Sequence, residues 1–222
     1  MTLQFRDRAE AGRLLAEKLK RFQGRDDVIV LALPRGGIPV AFEVATALHA
    51  PLEPFIVRKL GVPFHEELAM GAIASGDTCF INEDIVKALQ ILPEQLERVI
   101  ESERRELARR ESQYRDPQQP LNITNKTVIL VDDGLATGAT MHAAVQGVKT
   151  HQPAAVIVAV PVSARDTFKK FQNEVDDIVA VALPEDFSSV GQWYRDFAQT
   201  TDQQVAELLV RARSALPAAA HS

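Results

Sequence analysis

The chain has 222 residues, 46% of them hydrophobic and 25% charged, with a formal net charge of −5. That length suits one large α/β domain, or a domain with an elaboration, with enough residues for a sizeable core. The acidic balance argues against a general nucleic-acid binder, Cys79 as the single cysteine excludes an intrachain disulfide, and the lack of a long apolar run argues against a membrane span.

The first ten residues, MTLQFRDRAE, carry no apolar stretch of signal-peptide type, so a cytoplasmic protein is expected. Residues 7–22 read as a helix capped by Asp7, with Glu10 three positions on and Ala11, Leu14, Leu15, Leu19 and Phe22 on one face. DVIVLAL (27–33) is a short apolar run that reads as a buried strand and ends at PRGG (34–37). A helix over 38–48 follows, with Pro39 near its start, where a missing N–H costs little. LEPFIV (52–57) is the next strand and leads into RKLG. MGAIAS (70–75) and TCFIN (78–82) flank Gly76-Asp77, a hairpin signal.

Residues 93–115 are the most charged part of the chain. Glu94/Arg98, Glu101/Arg105, Glu106/Arg110 and Glu111/Arg115 are i,i+4 pairs in the favourable order, beside a narrow stripe of Leu96, Val99, Ile100 and Leu107. Six Glu balance six Arg, so this helix reads as a solvated or dimer-facing element and not as a nucleic-acid site. RDPQQPLN (115–122) reads as a turn or loop. Strands are expected at 128–131, 154–162 and 177–183, with helices over about 138–150 and 164–172 between them. A last helix starts near Thr201, where Gln204 completes a capping box and Val205, Leu208 and Leu209 turn inward; the tail LPAAAHS is expected to fray. Strand–helix alternation with nearly continuous apolar strands implies a mostly parallel sheet with helices on both faces.

In such sheets ligands bind beyond the carboxyl ends of the strands. VILVDDGLATGAT (128–140) and LPRGG (33–37) both lie there. Small residues from Ala136 to Thr140 let several N–H groups converge at a helix N-terminus, and Thr137 and Thr140 add hydroxyls; this is a phosphate cradle. It is not a Walker loop, since Ala139 stands five residues after Gly134 and no Lys follows, and no GxGxxG is present. Asp132 and Asp133 would repel a phosphate, so they suit the hydroxyls of the sugar that carries it. In PRGG the glycines admit close backbone approach and Arg35 brings a fixed cation. With Arg58 and Lys59 at the neighbouring strand end, the three cations suit a more highly charged anion such as pyrophosphate.

VILVDDGLATGAT resembles the phosphoribosyl-pyrophosphate motif of type I phosphoribosyltransferases, and LPRGG resembles their pyrophosphate loop. ALPRGGIPVAFEVA, VRKLGVPFHEELAMGAIASG and VGQWYRDF together resemble a bacterial branch of that family with an unassigned acceptor, over about residues 5 to 210. The resemblance implies one phosphoribosyltransferase-like domain over 1–222, with a charged helical insertion (83–115) and a small hood (183–200). It implies transfer of a phosphoribosyl group from phosphoribosyl pyrophosphate to a base-like nitrogenous acceptor, with release of pyrophosphate. Ala136, Thr137, Gly138, Ala139 and Thr140 would hold the 5′-phosphate, and Asp132 and Asp133 the ribose hydroxyls. Arg35, Gly36 and Gly37 would bind pyrophosphate, next to a cis peptide near Arg35–Gly36. Lys59, with or without Arg58, would stabilise the leaving group. Mg²⁺ would bridge ligand oxygens, reaching Asp132 and Asp133 only through ribose hydroxyls or water. Residues 61–69 would form a mobile loop over the site, and a homodimer is plausible from the family.

Other readings stay open. Arg58 is as easily a plain surface cation, and PRGG a mere turn. Phe187, Trp193, Tyr194 and Phe197, four of the thirteen aromatics, make either a hood that stacks on the acceptor or a small core under the C-terminal helix. His65-Glu66-Glu67 lacks metalloprotease spacing and reads as a solvated loop. His49, His142 and His151 read as helix-surface residues, and Cys79 as a packing residue. The same fold also serves regulators that sense phosphoribosyl pyrophosphate or nucleotides without turnover, and a phosphate-ester or pyrophosphate hydrolase is a third class.

Overall fold

The computed structural model describes residues 4–76, 78–114 and 121–215. Strand faces alternate with a period of two, and this sets the layers. In β1 (Val28–Ala32), Val28, Val30 and Ala32 join one core cluster, while Ile29 and Leu31 join another on the opposite side. β6 (Thr127–Val131) divides likewise, with Ile129 and Val131 against Val128 and Leu130. Each strand buried on both faces needs helices above and below it. On one side lie α1 (Arg8–Lys18), α2 (Gly37–Leu48) and α7 (Asp202–Ala215); on the other lie α5 (Ala139–Thr150) and α6 (Arg165–Phe171).

With β2 (Leu52–Pro54), β7 (Ala155–Val162) and β8 (Asp177–Ala182), these strands form a parallel sheet of order β2-β1-β6-β7-β8. β1 and β6 are neighbours in register from Val28↔Thr127 to Ala32↔Val131, so their carboxyl ends emerge side by side. A second sheet of three antiparallel strands joins β3 (Val57–Val62), β4 (His65–Ala74) and β5 (Thr78–Ile81) and packs along α5.

Several expectations need correction. LEPFIV is not one strand. Its first half pairs with β1, then the chain turns at Phe55, buried on the α5 side, and Ile56 bonds the Ser75 hydroxyl to begin the small sheet. Residues 61–69 are a hairpin rather than a loop, with Phe64 at its turn in the left-handed region (φ 69°). Leu14 is exposed because α1 meets α2 along Gly12 and Ala16; a Cβ on Gly12 would stand 2.6 Å from the Val40 carbonyl oxygen. Cys79 is exposed on β5, at the edge of the small sheet.

α3 (Glu83–Ala88) and α4 (Pro93–Tyr114) occupy the charged stretch. α4 is not simply solvated: Leu107 and Tyr114 are buried, and Arg58 on β3 donates to Glu103 at 2.6 Å. Of its pairs, Glu94–Arg98 is 3.7 Å apart and Glu106–Arg110 is 2.8 Å apart. The α7 capping box forms as read, with Gln204 N donating to Thr201 Oγ1 and Thr201 N to Gln204 Oε1. The described helices include none long and apolar enough to cross a membrane. Asp77 of the hairpin signal, Arg115 and the 115–120 part of the expected loop, and the 216–222 tail lie outside the described residues.

Candidate active site

Two turns leave adjacent strand ends and meet. After β1, Leu33 N donates to Val131 O at 3.0 Å, which carries the pairing one residue past the strand. Residues 34–36 then turn into α2, with Gly36 as its N-cap. A cis peptide is present, one bond earlier than expected, between Pro34 and Arg35. Both glycines lie against the acid pair. A Cβ on Gly36 would fall 2.1 Å from Asp133 Oδ2, and one on Gly37 would fall 2.8 Å from Val131 O and 3.0 Å from Asp132 Cα. The two stretches read separately as anion-binding turns are therefore one continuous surface.

After β6 the chain passes Asp132 and Asp133 and enters α5 through 134–138. Leu135 bridges to Ser163, and Thr167 Oγ1 donates to Ala136 O at 2.6 Å, fixing the turn from the α6 side. Gly138 is the N-cap with φ 77°, a left-handed conformation that glycine adopts freely, and a Cβ there would collide with Phe171 at 2.7 Å. No side chain caps α5. At its start Thr137, Ala139 and Thr140 are exposed, and Ala139 N makes a long 3.5 Å bond to Thr137 Oγ1. A cavity of about 420 Å³ opens beside this turn, lined by Lys59, Thr137, Gly138, Ala139, His142 and Lys170 among others.

The acids are not equivalent. Asp132 accepts from Asp133 N at 2.8 Å. Asp133 Oδ2 accepts from Arg8 Nε at 2.9 Å and pairs with its NH2 at 2.8 Å. Arg8 also donates to Ala198 O and lies 4.0 Å from the Phe197 ring centroid. Burial, and then the charge of Asp133, push the Asp132 carboxyl well above the usual range. Burial also raises Asp133, opposed by Arg8. A carboxyl raised on folding favours the folded form at low pH, so the pair costs stability as pH rises through and beyond the ordinary carboxylate range.

Arg8 has no motif in the sequence. It acts across 125 residues, and only its place at the start of α1 brings it here. Trp193 and Tyr194 correct the hood reading, since both are buried with Phe5, Ala11 and Val162 and cannot stack on an acceptor. The physical reason is backbone pairing: Phe5 N donates to Trp193 O and Arg195 N to Phe5 O, which draws the aromatics under the first helix. Tyr194 instead donates its hydroxyl to Asp133 O at 2.6 Å and stacks on Phe197.

The three expected cations are not gathered. Arg58 is committed to Glu103, Lys59 lines the cavity by the 137–139 turn, and Arg35 lines a different cavity and approaches Asp202 at 3.9 Å. His142 and His151 do have partners, Glu174 at 2.7 Å and Thr78 at 3.1 Å, while His49 caps α2 in the left-handed region. His65 is exposed, and the side chains of Glu66 and Glu67 lie outside the described residues.

The model of the phosphoribosyl transferase domain family matches residues 4–190. The chain belongs to the phosphoribosyltransferase family. Two Mycobacterium tuberculosis proteins, provisionally named as phosphoribosyl transferases, are each 43% identical to it over 208 residues, which is 94% of this chain and 47% of theirs. The chain thus spans about half the length of those curated relatives. The crystal structure of the protein TT1426 from Thermus thermophilus is 39% identical, with a TM-score of 0.82, covering 94% of this chain and 98% of that one.

Burial raises both tyrosines of the chain. Burial, and then the bond to Asp202, push the Tyr114 phenol up to about 12; burial, and then the Asp133 charge, raise Tyr194 further. Stability from the Tyr114 phenol is fully present below its ordinary value of 10.0 and is lost as pH rises from there through about 12. The folded protein is therefore expected to show almost no phenolate absorbance near pH 10, with the signal appearing on unfolding. A half-developed phenolate signal there in the folded state would refute this.

Proposed function

We propose that the chain transfers a 5-phosphoribosyl group from phosphoribosyl pyrophosphate to a base-like nitrogenous acceptor, releasing pyrophosphate. One observation carries the reading: an acid pair stands between two anion-receiving turns on neighbouring strand ends. The 5′-phosphate would lie on the amides and hydroxyls of Ala136 to Thr140, with Lys59 and the cavity it lines on the outer flank. The ribose hydroxyls would meet Asp132 and the Asp133 carboxylate that Arg8 steadies. Pyrophosphate would lie at Arg35, Gly36 and Gly37.

The reaction breaks the bond from the anomeric carbon to pyrophosphate and forms one to the acceptor nitrogen, which gives up its proton to a carboxylate of the acid pair and from there to water. Positive charge grows on the sugar and negative charge on the leaving group. The carboxylates serve the first, and Arg35 with the turn amides serves the second, in positions set before the reaction begins. The donor set of the acid pair suits a divalent cation, because two neighbouring carboxylates offer oxygens and Arg8 is paired with only one of them, Asp133 Oδ2. Asp132 and Asp133 would hold Mg²⁺ through ribose oxygens or water, and the ion would neutralise charge on the leaving pyrophosphate.

Calorimetric titration with phosphoribosyl pyrophosphate and Mg²⁺ tests the reading. Binding is expected, and Asp132→Asn with Asp133→Asn is expected to weaken it about a hundred-fold or more. Equal binding by wild type and double variant, or no Mg²⁺-dependent binding by wild type, rejects it. A sensing role is favoured by the Arg8–Asp133 pair, which already occupies one carboxylate oxygen. Pyrophosphate release across a panel of nitrogenous acceptors separates transfer from sensing.

A further inference from the structure

We propose that α4 completes the pyrophosphate site, with Arg109 and Arg110 gripping the leaving group across a cavity from Arg35. This rests on the function proposed above. A diphosphate leaving group needs several cations, and two of the three expected beside it are elsewhere: Arg58 is bound to Glu103, and Lys59 lines the cavity at the phosphate turn. The cavity that Arg35 does line, about 420 Å³, holds Arg109, Arg110, Gln113, Tyr114 and Asp202 as its other polar residues. Three arginines thus face one carboxylate in its wall.

The arginines are placed, not merely nearby. Glu106 accepts from Arg109 Nε and NH2 at 2.8 and 2.9 Å and from Arg110 Nε at 2.8 Å. A guanidinium has five N–H donors, so both keep donors for an anion. Buried Leu107 and Tyr114, with the Arg58–Glu103 pair, hold α4 against the body of the protein. Glu106 pairing alone would need only a solvated helix face; it does not call for a third arginine from a strand end on the same cavity. Asp202 accepts from the Tyr114 hydroxyl and stands 3.9 Å from Arg35, a loose contact that an incoming phosphate would replace. Gly36 and Gly37, next to Arg35, lie against the acid pair, so the same short turn joins this cavity to the ribose position.

The test uses the full chain with Mg²⁺ and two probes, inorganic pyrophosphate and ribose 5-phosphate. Arg109→Gln with Arg110→Gln is expected to weaken pyrophosphate about ten-fold or more while ribose 5-phosphate stays within about two-fold. Arg98→Gln, on the same helix and paired with Glu94, controls for general charge and should change neither. Unchanged pyrophosphate affinity in the double variant, with ribose 5-phosphate still bound, overturns the proposal and leaves the proposed function standing. An equal loss in Arg98→Gln, or a loss of both probes in the double variant, also overturns it. If wild type binds neither probe, the functional reading falls and the proposal with it.

Discussion

Arg8→Ala is expected to lose about 3–5 kcal/mol of folding stability, the usual cost of removing one partner of a buried ion pair. The side chains of Arg8 and Asp133 are only 11% and 15% exposed, so water does little to replace the lost partner. The same substitution removes the bond to Ala198 O and the stacking on Phe197, loosening the join between the first helix and the 193–198 segment. The deficit should shrink as pH falls, because a protonated Asp133 no longer needs the counter-charge. Arg8→Lys keeps the charge but not the two-pronged contact and should recover only part of the loss. Urea unfolding at neutral and mildly acidic pH measures all three. A loss below about 1 kcal/mol at neutral pH would show that the pair behaves as an exposed one.

The second large effect is expected at the glycine pair. Gly37→Ala drives a methyl to within 2.8 Å of the Val131 carbonyl oxygen and 3.0 Å of Asp132 Cα. Both are backbone atoms at the end of a fully buried strand and have nowhere to retreat. A stability loss of about 2–3 kcal/mol is expected, at the upper end for overpacking. Gly36→Ala meets a side chain instead, Asp133 Oδ2 at 2.1 Å, which must swing away from Arg8. That variant should open the Arg8–Asp133 pair, so its stability loss should match or exceed that of Gly37→Ala, and it should also lose about a hundred-fold in transfer activity because the carboxylate is displaced by an ångström or more. The two losses should differ in pH dependence: that of Gly36→Ala should shrink as pH falls, as for Arg8→Ala, and that of Gly37→Ala should not. The same pH dependence in both variants would show that the turn is a scaffold with no separate effect on the acid.

The parallel sheet and its two turns were legible because local signals agreed. VIVLA and VILV are short, β-branched and bounded by turn residues, and each leads into a stretch of helical period. DDGLATGAT stood out by joining an acid pair to a small-residue turn, whereas PRGG alone read equally as a plain turn and gained weight only from its place at a strand end. The failures have a shared cause. LEPFIV looked uniform, yet it divides between two sheets because Phe55 and Ser75 found partners remote in sequence. RKLG suggested two functional cations, but alternation along β3 sends Arg58 toward Glu103 on α4 and Lys59 toward the cavity by the 137–139 turn. The clustered aromatics fitted hood and core equally well, and only pairing with Phe5 placed Trp193 and Tyr194 in a core, under the first helix and not the C-terminal one.

By itself the sequence determined the strand–helix order, the carboxyl-end position of both glycine-containing turns and the acid pair between them. Those features rest on periodicity and on residues next to one another, which local chemistry reads directly. Tertiary structure alone decided that Arg8 holds Asp133, that Tyr194 lies beneath the acid turn, and that Arg109 and Arg110 share a cavity with Arg35. Each of those contacts joins segments more than sixty residues apart, and a charge or an aromatic ring carries no mark of its partner until packing brings the two together.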